Sequence, residues 1–325
     1  MSGSPPRAVF FGSPAFAVPF LEAVAQATTL VAVVSQPDRP AGRGKQLTEP
    51  AVKVAARHLG VPVLQPERVR TPEFEHELRA LDADVFIVVA YGRILPQALL
   101  DVPRRGCWNV HGSLLPKLRG AAPIQWSIIR GERVTGVAVM RMEAGLDTGP
   151  VAAVSEVPIG DDDTTATLAL ALAAAGAPLL IDTLPAILDG RVTLVPQDDA
   201  RATLAPPLVK EDGRLRFDVP ARAVSARARG CDPWPGATAL LDGELMRVFG
   251  PRVLAGHVGA GAGGPAGAVL GLRPEGLAVA CADAPIAFAE LQLPGRRRLP
   301  AAAVLAGRPI PPGTSLQDPA ARPRE

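Results

Sequence analysis

The residues best suited to chemistry are an amide and an imidazole at the end of one predicted strand. The segment 106–111 is predicted to be a short buried strand that Gly112 ends. Because side chains two apart on a strand point to the same face, Asn109 and His111 should project side by side at its carboxyl end. Asp147 follows on a separate glycine-rich loop. Together these groups can polarise a carbonyl and manage a proton, which is the chemistry of group transfer.

Each of these three side chains can take a different role in acyl transfer to an amine. Asn109 can donate to the oxyanion of a tetrahedral intermediate, and losing one such donor typically costs about 2.7–4 kcal/mol. His111 can also donate when protonated, or it can accept the proton of the attacking amine. Asp147 can hold the imidazole tautomer or act through water as the base. The sequence leaves open which group takes the proton.

Several motifs around these residues resemble those of the 10-formyltetrahydrofolate-dependent formyltransferases. They occur in the family's order along nearly the whole chain, at 11–14 (FGSP), 36–45 (QPDRPAGRGK), 83–92 (ADVFIVVAYG), 113–116 (SLLP) and 232–236 (DPWPG). The resemblance implies that Asn109, His111 and Asp147 are catalytic and that 10-formyltetrahydrofolate is the formyl donor. One departure is Leu118, where relatives commonly carry an aromatic residue.

The resemblance also implies where the folate binds. The pterin would lie beside Ser113, Leu114, Leu115 and Pro116. The two leucines would form an apolar wall, while backbone groups would contact the polar edge of the ring. Without the resemblance, these residues indicate only an apolar turn.

A second candidate binding site is the basic segment 36–46, which is rich in proline and glycine. Its cations suit the phosphates of an RNA backbone, since arginine can bind phosphate in a bidentate manner. The alternative interpretation is a solvated charge cluster without a ligand. In relatives, the similar segment is an insertion that engages the acceptor end of initiator tRNA. The predicted tRNA-binding residues are Arg39, Arg43 and Lys45.

The expected reaction transfers the formyl group of 10-formyltetrahydrofolate to the α-amino group of methionyl-initiator tRNA. Its product would be N-formylmethionyl-tRNA for translation initiation. The main alternative is a formyltransferase that acts on a UDP-aminosugar, because such relatives share motifs with this chain. The basic segment 36–46 and the segment 121–125 argue against it. A catalytically silent RNA-binding protein is a further alternative, and the presence of all three candidate catalytic residues argues against that.

Alternating strands and helices must position these residues. Predicted strands lie at 7–11, 30–35, 84–90, 106–111 and 134–142, and predicted helices at 16–27, 50–59, 72–81, 96–101, 123–130 and 165–188. This alternation predicts an α/β fold with a doubly wound, Rossmann-like parallel sheet. It does not predict a dinucleotide site, because the turn after the first strand has a single glycine, and Pro14 removes an amide from the phosphate cradle.

The length of 325 residues predicts two domains. The second half is the more basic one, with 17 basic and 13 acidic residues in 191–325 and a patch at 296–298. Its extended segments at 213–217, 237–241, 245–249, 267–272, 276–281 and 286–293 predict a small β-barrel. The family resemblance implies an OB-like barrel that binds tRNA. We expect a formyltransferase domain at 1–190, a linker at 191–207, the barrel domain at 208–310 and a disordered tail at 311–325.

Cysteine and histidine usage gives no sign of disulfides or metal. Cys107, Cys231 and Cys281 are odd in number and far apart, and the four histidines are scattered. No apolar stretch of about 18 residues is free of helix breakers, and no charged segment precedes an apolar run at the N-terminus. We therefore expect a cytoplasmic monomer with no metal and no membrane partner.

Overall fold

The computed structural model describes residues 5–41, 46–255 and 264–318. Within these residues the chain forms two compact units that alternate along the sequence. The N-terminal unit contains 5–123, 134–158 and 169–206, and the C-terminal unit contains 124–133, 159–168 and 207–318.

The first part of the chain alternates strands and helices, as predicted. In chain order the elements are β1 (Arg7–Gly12), α1 (Val18–Ala27), β2 (Thr29–Val34), β3 (Arg39–Ala41), β4 (Gln46–Thr48), α2 (Ala51–His58), β5 (Val63–Leu64), α3 (Pro72–Ala80), β6 (Val85–Val89), α4 (Gln97–Leu100), β7 (Cys107–His111), α5 (Pro123–Ile129), β8 (Val134–Arg141), β9 (Val151–Pro158) and α6 (Thr165–Asp189).

The N-terminal unit is built on a seven-stranded sheet in the order β5-β2-β1-β6-β7-β8-β9. The first five strands in this order are parallel, which confirms the Rossmann-like prediction. β8 is antiparallel to both of its neighbours, β7 and β9, so the expectation of a parallel sheet was wrong at this strand. β8 is buried between its two exposed end residues, and such a buried run does not reveal strand direction. β9 was not predicted, because this edge strand is only partly buried and contains Ser155 and Glu156.

α6 is a long apolar helix of the core. Its residues Leu172 and Leu180 are fully buried. A Cβ at Gly176 would lie 2.8 Å from the Phe20 ring and 2.9 Å from Val137, so the helix approaches α1 and β8 closely. By length and composition α6 could span a membrane, and 33% of its most apolar window is buried in the structure. This close packing explains the apolar composition.

The C-terminal unit is an antiparallel sheet with two flanking helices. Its elements are α7 (Ala221–Gly230), β10 (Ala237–Leu241), β11 (Glu244–Val253), β12 (Val269–Arg273), β13 (Gly276–Ala280), β14 (Pro285–Gln292), β15 (Leu299–Pro300), α8 (Ala301–Gly307) and β16 (Leu316–Gln317). The strands pair in the order β12-β13-β14-β11-β10-β16, and β15 pairs with β14.

This sheet closes on itself, as a barrel requires. Ala268 pairs with Ser315, and the Val269 N–H donates to the Thr314 carbonyl at 2.8 Å. The Leu316 N–H donates to the Gly267 carbonyl at 2.8 Å, so residues beside β12 meet residues beside β16. These contacts support the small barrel that the spacing of extended segments predicted.

Two expectations for this unit differ from the structure. The segment 213–217 is not a strand: a 3₁₀ turn ends at Gly213, and Arg214 makes one isolated bridge to Thr238. The helices α7 and α8 were not predicted. In α7 small and charged residues alternate, and the buried positions Val224 and Ala228 are the main sign of helical spacing.

The segments proposed as a linker and a tail make ordered contacts. Residues 191–206 belong to the N-terminal unit, where Val195 bridges to Val151 and Leu204 bridges to Arg119. At the other end, β16 pairs with β10. The ordered chain therefore extends past residue 310, and 319–325 lie outside the described residues.

Candidate active site

β7 places the amide and the imidazole at the carboxyl end of the parallel strands. It pairs with β6 on one side and β8 on the other, with Asn109 opposite Val88 and Met140. The strand ends at His111, as the following glycine predicted. Asn109 is partly exposed and His111 is buried. The main chain is held on both sides, so these two side chains have a rigid support.

The hydrogen bond of His111 distinguishes its two ring nitrogens. Nε2 lies 2.9 Å from the Leu118 carbonyl oxygen, which can only accept, so Nε2 carries a proton. Nδ1 lies 3.7 Å from Oδ2 of Asp147. In the neutral ring Nδ1 is therefore the unprotonated nitrogen. Nδ1 is therefore the ring nitrogen that can accept and release a proton during a reaction.

Asp147 lies in the loop 142–150 between β8 and β9, and its carboxylate joins the other two residues. Oδ1 accepts from Nδ2 of Asn109 at 3.3 Å, and Oδ2 accepts from the Gly120 N–H at 2.8 Å. Its backbone is in the left-handed region, with φ of 51°. The structure thus brings together Asn109, His111 and Asp147, the three predicted catalytic residues.

The predicted folate-binding residues form the turn that leaves β7. Ser113 is fully buried, and its Oγ donates to the Lys117 carbonyl at 2.6 Å, so the hydroxyl stabilises the turn. Leu114, Leu115 and Pro116 are partly exposed. Three partly exposed apolar residues beside the polar cluster fit one face of an aromatic ring system.

Leu118 acts through its backbone in this site. Its φ is 61°, and its side chain is buried. The Leu118 N–H donates to Oγ1 of Thr203 at 2.9 Å, while its carbonyl accepts from His111. Replacing an aromatic residue with leucine at this position leaves both backbone contacts available.

Two residues that the sequence did not indicate contribute contacts to the site. Nε2 of Gln197 donates to the carbonyls of Asp147 at 2.8 Å and Gly149 at 2.6 Å. The buried Arg119 donates to Oε1 of Gln197 from Nε at 3.0 Å and from Nη2 at 2.9 Å. These partners are far apart in sequence, and the proline-containing segment around Gln197 indicated a linker. No local pattern could have revealed the contact.

The basic segment 36–46 contains β3 and the first residue of β4, and these two strands pair as an antiparallel hairpin. Nη2 of Arg39 donates to Oε1 of Gln36 at 3.3 Å. Arg43 and Lys45 lie outside the described residues. Of the described residues of this segment, 39–41 and 46 lie in strands, and 36–38 have no regular secondary structure.

An ion-pair cluster joins the two ends of this hairpin. Nζ of the nearly buried Lys53 lies 2.6 Å from Asp38, just before β3, and 3.0 Å from Glu49, just after β4. Hydrogen bonds from Gln65 and then Lys53 hold the pKa of Asp38 below its ordinary value. The bond to Asp38 raises the pKa of Lys53. The ion pairs connect both hairpin ends to α2.

Thiol and metal chemistry find little support here. The three cysteines are buried, and burial raises the pKa of Cys231 and of Cys281 to about 12. Burial also raises the pKa of Cys107. Among residues 5–41, 46–255 and 264–318, no group of three or more histidine, cysteine or acidic residues could hold a metal ion. The amide, imidazole and carboxylate cluster remains the best candidate for chemistry.

Comparison with known families gives the class of protein. The formyl transferase family model matches residues 7–184, and the model of the formyl transferase C-terminal domain matches 207–309. The chain belongs to the formyl transferase family, and it is an enzyme of formyl transfer.

Particular relatives cover nearly the full length. Methionyl-tRNA formyltransferase of Sorangium cellulosum (strain So ce56) is 49% identical over 313 residues, covering 95% of this chain and 99% of the relative. The enzyme of the same name from Myxococcus xanthus (strain DK1622) is 47% identical over 311 residues, covering 96% and 98%. Both halves of the chain therefore resemble these relatives.

Solved structures share the fold at low sequence identity. An N-formyltransferase from Helicobacter canadensis, in complex with folinic acid and dTDP-3-aminofucose, has a TM-score of 0.66 at 16% identity and covers 87% of this chain and 99% of its own. HypX from Aquifex aeolicus in complex with tetrahydrofolic acid has a TM-score of 0.62 at 18% identity, covering 93% of this chain and 47% of its own.

Proposed function

We propose that this chain transfers the formyl group of 10-formyltetrahydrofolate to the α-amino group of methionyl-initiator tRNA. The observation that carries the proposal is the near-full-length similarity to methionyl-tRNA formyltransferases, which spans both units. The N-formyltransferase from Helicobacter canadensis, in complex with dTDP-3-aminofucose, shares the fold at only 16% identity. We therefore propose the substrate named for the more similar relatives, which is methionyl-tRNA.

In the proposed mechanism, Asn109 stabilises negative charge on the formyl oxygen. One N–H of its amide is directed at Asp147, so the other can donate to the oxyanion as the carbon becomes tetrahedral. When bound, 10-formyltetrahydrofolate would supply the formyl group. The amine nitrogen bonds to the formyl carbon, the bond from that carbon to the folate nitrogen breaks, and the leaving nitrogen takes up the proton that the amine loses. A donor held in advance by β7 costs no reorganisation when charge develops.

We propose that Nδ1 of His111 accepts the proton that the attacking amine loses. Nε2 is committed to the Leu118 carbonyl, so Nδ1 is the nitrogen with a lone pair in the neutral ring. Asp147 lies 3.7 Å from Nδ1, where its carboxylate can accept the new N–H. Asp147 thus stabilises the protonated ring that forms and also fixes the Asn109 amide.

The folate would bind along the turn after β7. Leu114, Leu115 and Pro116 provide partly exposed apolar surface next to the catalytic cluster. Ser113 would act by holding the shape of that turn, because its hydroxyl is bonded to the Lys117 carbonyl. The residues present fit a flat ring bound beside the amide and imidazole.

For tRNA, we propose contacts from Arg39, Arg43, Lys45 and the C-terminal domain. The supporting observation is basic character, at 36–46 and at 296–298 of the second half. We propose a catalytic domain at 1–190 and a tRNA-binding domain that begins at 208, near the family matches at 7–184 and 207–309. We further propose that the enzyme works in the cytoplasm as a monomer.

The full chain, purified and mixed with 10-formyltetrahydrofolate and methionyl-initiator tRNA, tests the proposal. We expect N-formylmethionyl-tRNA to form, and elongator methionyl-tRNA to be a poorer substrate. A parallel reaction with a UDP-aminosugar should give no product. Formylation of the sugar but not of the tRNA would overturn the proposal in favour of the alternative.

A further inference from the structure

Asp147 occupies a backbone conformation that needs outside support. Its φ of 51° lies in the left-handed region, which residues other than glycine adopt at a cost. The loop 142–150 is largely exposed around it, at 143–146. A carboxylate that must meet both Asn109 and His111 therefore depends on contacts that hold this turn from the side.

The amide of Gln197 makes such contacts. Its Nε2 donates to the carbonyls of Asp147 at 2.8 Å and of Gly149 at 2.6 Å, two residues further along the turn. One amide group thus joins both ends of the turn 147–149. Both of these bonds go to the backbone that carries the Asp147 carboxylate.

Arg119 determines which way this amide points. A guanidinium has donors and no acceptors, so its Nε and Nη2, at 3.0 and 2.9 Å, must face the amide oxygen. The NH₂ group is then directed at the two carbonyls. Because Arg119 is buried with 7% of its surface exposed, water cannot easily replace this pair of bonds.

Three consecutive residues connect the parts of the site. The Leu118 carbonyl accepts from His111, the Arg119 side chain orients Gln197, and the Gly120 N–H donates to the Asp147 carboxylate. The segment 118–120 is itself paired with 203–205, since the Arg119 N–H donates to the Thr203 carbonyl at 2.8 Å. His111 and Asp147 are thus both held by the segment 118–120. This segment is in turn held by Gln197 and by residues 203–205.

We propose that Gln197 is a positioning residue for Asp147 and that Arg119 sets the orientation of its amide. This inference rests on the proposed function, because it acts through a residue assigned there to catalysis. Removing the amide donor should let the turn 147–149 relax and move the carboxylate away from Nδ1 of His111. A displacement of about 1 Å at a reacting group can cost about a hundredfold in rate.

The test uses Gln197→Glu and Gln197→Met in the full chain. The glutamate keeps the contact with Arg119 but cannot donate to the two carbonyls, and the methionine has similar size without either bond. We expect kcat for tRNA formylation to fall about 10- to 100-fold in each, with KM for both substrates within about twofold. Asp198→Asn, an exposed neighbour that keeps its own acceptor for the Ala200 N–H, is the matched control and should match the wild type.

A double-mutant cycle separates positioning from a general structural role. In an Asp147→Ala background, Gln197→Met should cause no further loss of single-turnover rate, because the residue it positions is gone. A further loss similar to that in the wild-type background would overturn the proposal. Wild-type kcat in both Gln197 variants, a loss confined to KM, or failure of both variants to fold would overturn it as well.

Amide hydrogen exchange tests whether Gln197 supports the turn 147–149 without the need for any substrate. Backbone amides of 142–150 should exchange faster in Gln197→Met than in the wild type, without any substrate present. Unchanged exchange would contradict the support that we assign to Gln197. Absence of formyl transfer by the wild type, together with faster exchange in the variant, would overturn the proposed function and leave the support of the turn intact.

Discussion

At the residue scale, the site depends on how each polar atom is already engaged. Nε2 of His111 is bonded to a backbone carbonyl, and one N–H of Asn109 is bonded to Asp147. The remaining N–H and the Nδ1 lone pair are then the groups available to a substrate. The bonds that these groups already make hold them in place, and donors placed in advance are what transition-state stabilisation requires.

Replacing His111 or Asp147 with alanine should lower the single-turnover rate of formylation at least about a hundredfold, since general acid–base groups contribute about 10²–10⁴ in rate. The affinity for tRNA should change little. His58→Ala, at the exposed end of α2, is the control. A near-normal rate in either catalytic variant would exclude the roles proposed here.

At the element scale, the loop 142–150 requires a glycine at its end. A Cβ at Gly149 would overlap the carbonyl oxygen of Arg141, so the loop or β8 would have to move. Gly149→Ala should therefore destabilise the fold by about 1–3 kcal/mol and reduce the formylation rate. Denaturant unfolding measures the first effect. Gly307→Ala, where a Cβ would meet open space, should leave both quantities unchanged.

The ion pairs at the base of the β3 and β4 hairpin predict a pH-dependent contribution to stability. The pKa of Asp38 is lowered from 3.8, so its contribution is present above that value and is lost as pH falls through the folded pKa. The pKa of Lys53 is raised from 10.5, so its contribution is present below that value and is lost as pH rises further. The cluster is therefore fully formed at neutral pH.

Lys53→Met should lower the melting temperature most between pH 3.8 and pH 10.5, with the difference from the wild type shrinking on either side. Melting curves across this range measure the effect. Arg57→Met removes only the more exposed partner of Glu49 and should matter much less. A constant difference at every pH would show that packing, and not charge, is responsible.

At the scale of the whole molecule, the two units alternate along the chain. Residues 124–133 and 159–168 belong to the C-terminal unit. Truncating the chain near residue 207 therefore removes the rest of the unit with which they pack. Within that unit Oγ1 of Thr165 donates to the Gly230 carbonyl at 2.7 Å, and Arg229 donates to the Asp163 carbonyl at 2.8 Å. A domain boundary on the sequence is therefore not a clean boundary in space.

A fragment ending at residue 207 should melt about 4–8 °C below the full chain, if two hydrogen bonds of about 1 kcal/mol each are lost. Thermal unfolding followed by circular dichroism measures this. Equal melting temperatures would mean that the N-terminal part folds independently, as the sequence alone suggested. Binding of tRNA by the C-terminal domain is for this reason better tested by substitutions in the full chain.

The basic segment offers such a test. Replacing Arg39, Arg43 and Lys45 together with alanine should weaken tRNA binding and flatten its salt dependence by up to about three phosphate contacts' worth of slope. Arg43→Ala alone should already impair formylation of tRNA, whereas folate binding should be unaffected in both. Arg79→Ala, a cation paired with Glu75 on α3, is the control. An unchanged salt slope in the triple variant would exclude this segment from the tRNA site.

Local sequence patterns determined a large part of this protein. Alternation along 107–111 placed Asn109 and His111 on one face, and apolar runs located the parallel strands, because both depend on neighbours within a few residues. Family motifs indicated Asp147. The tertiary structure alone decided the antiparallel direction of β8, the closure of the barrel and the contact of Gln197 with the Asp147 turn. Each of these depends on partners distant in sequence, and a polar residue in a loop carries no local mark of the group it will meet after folding.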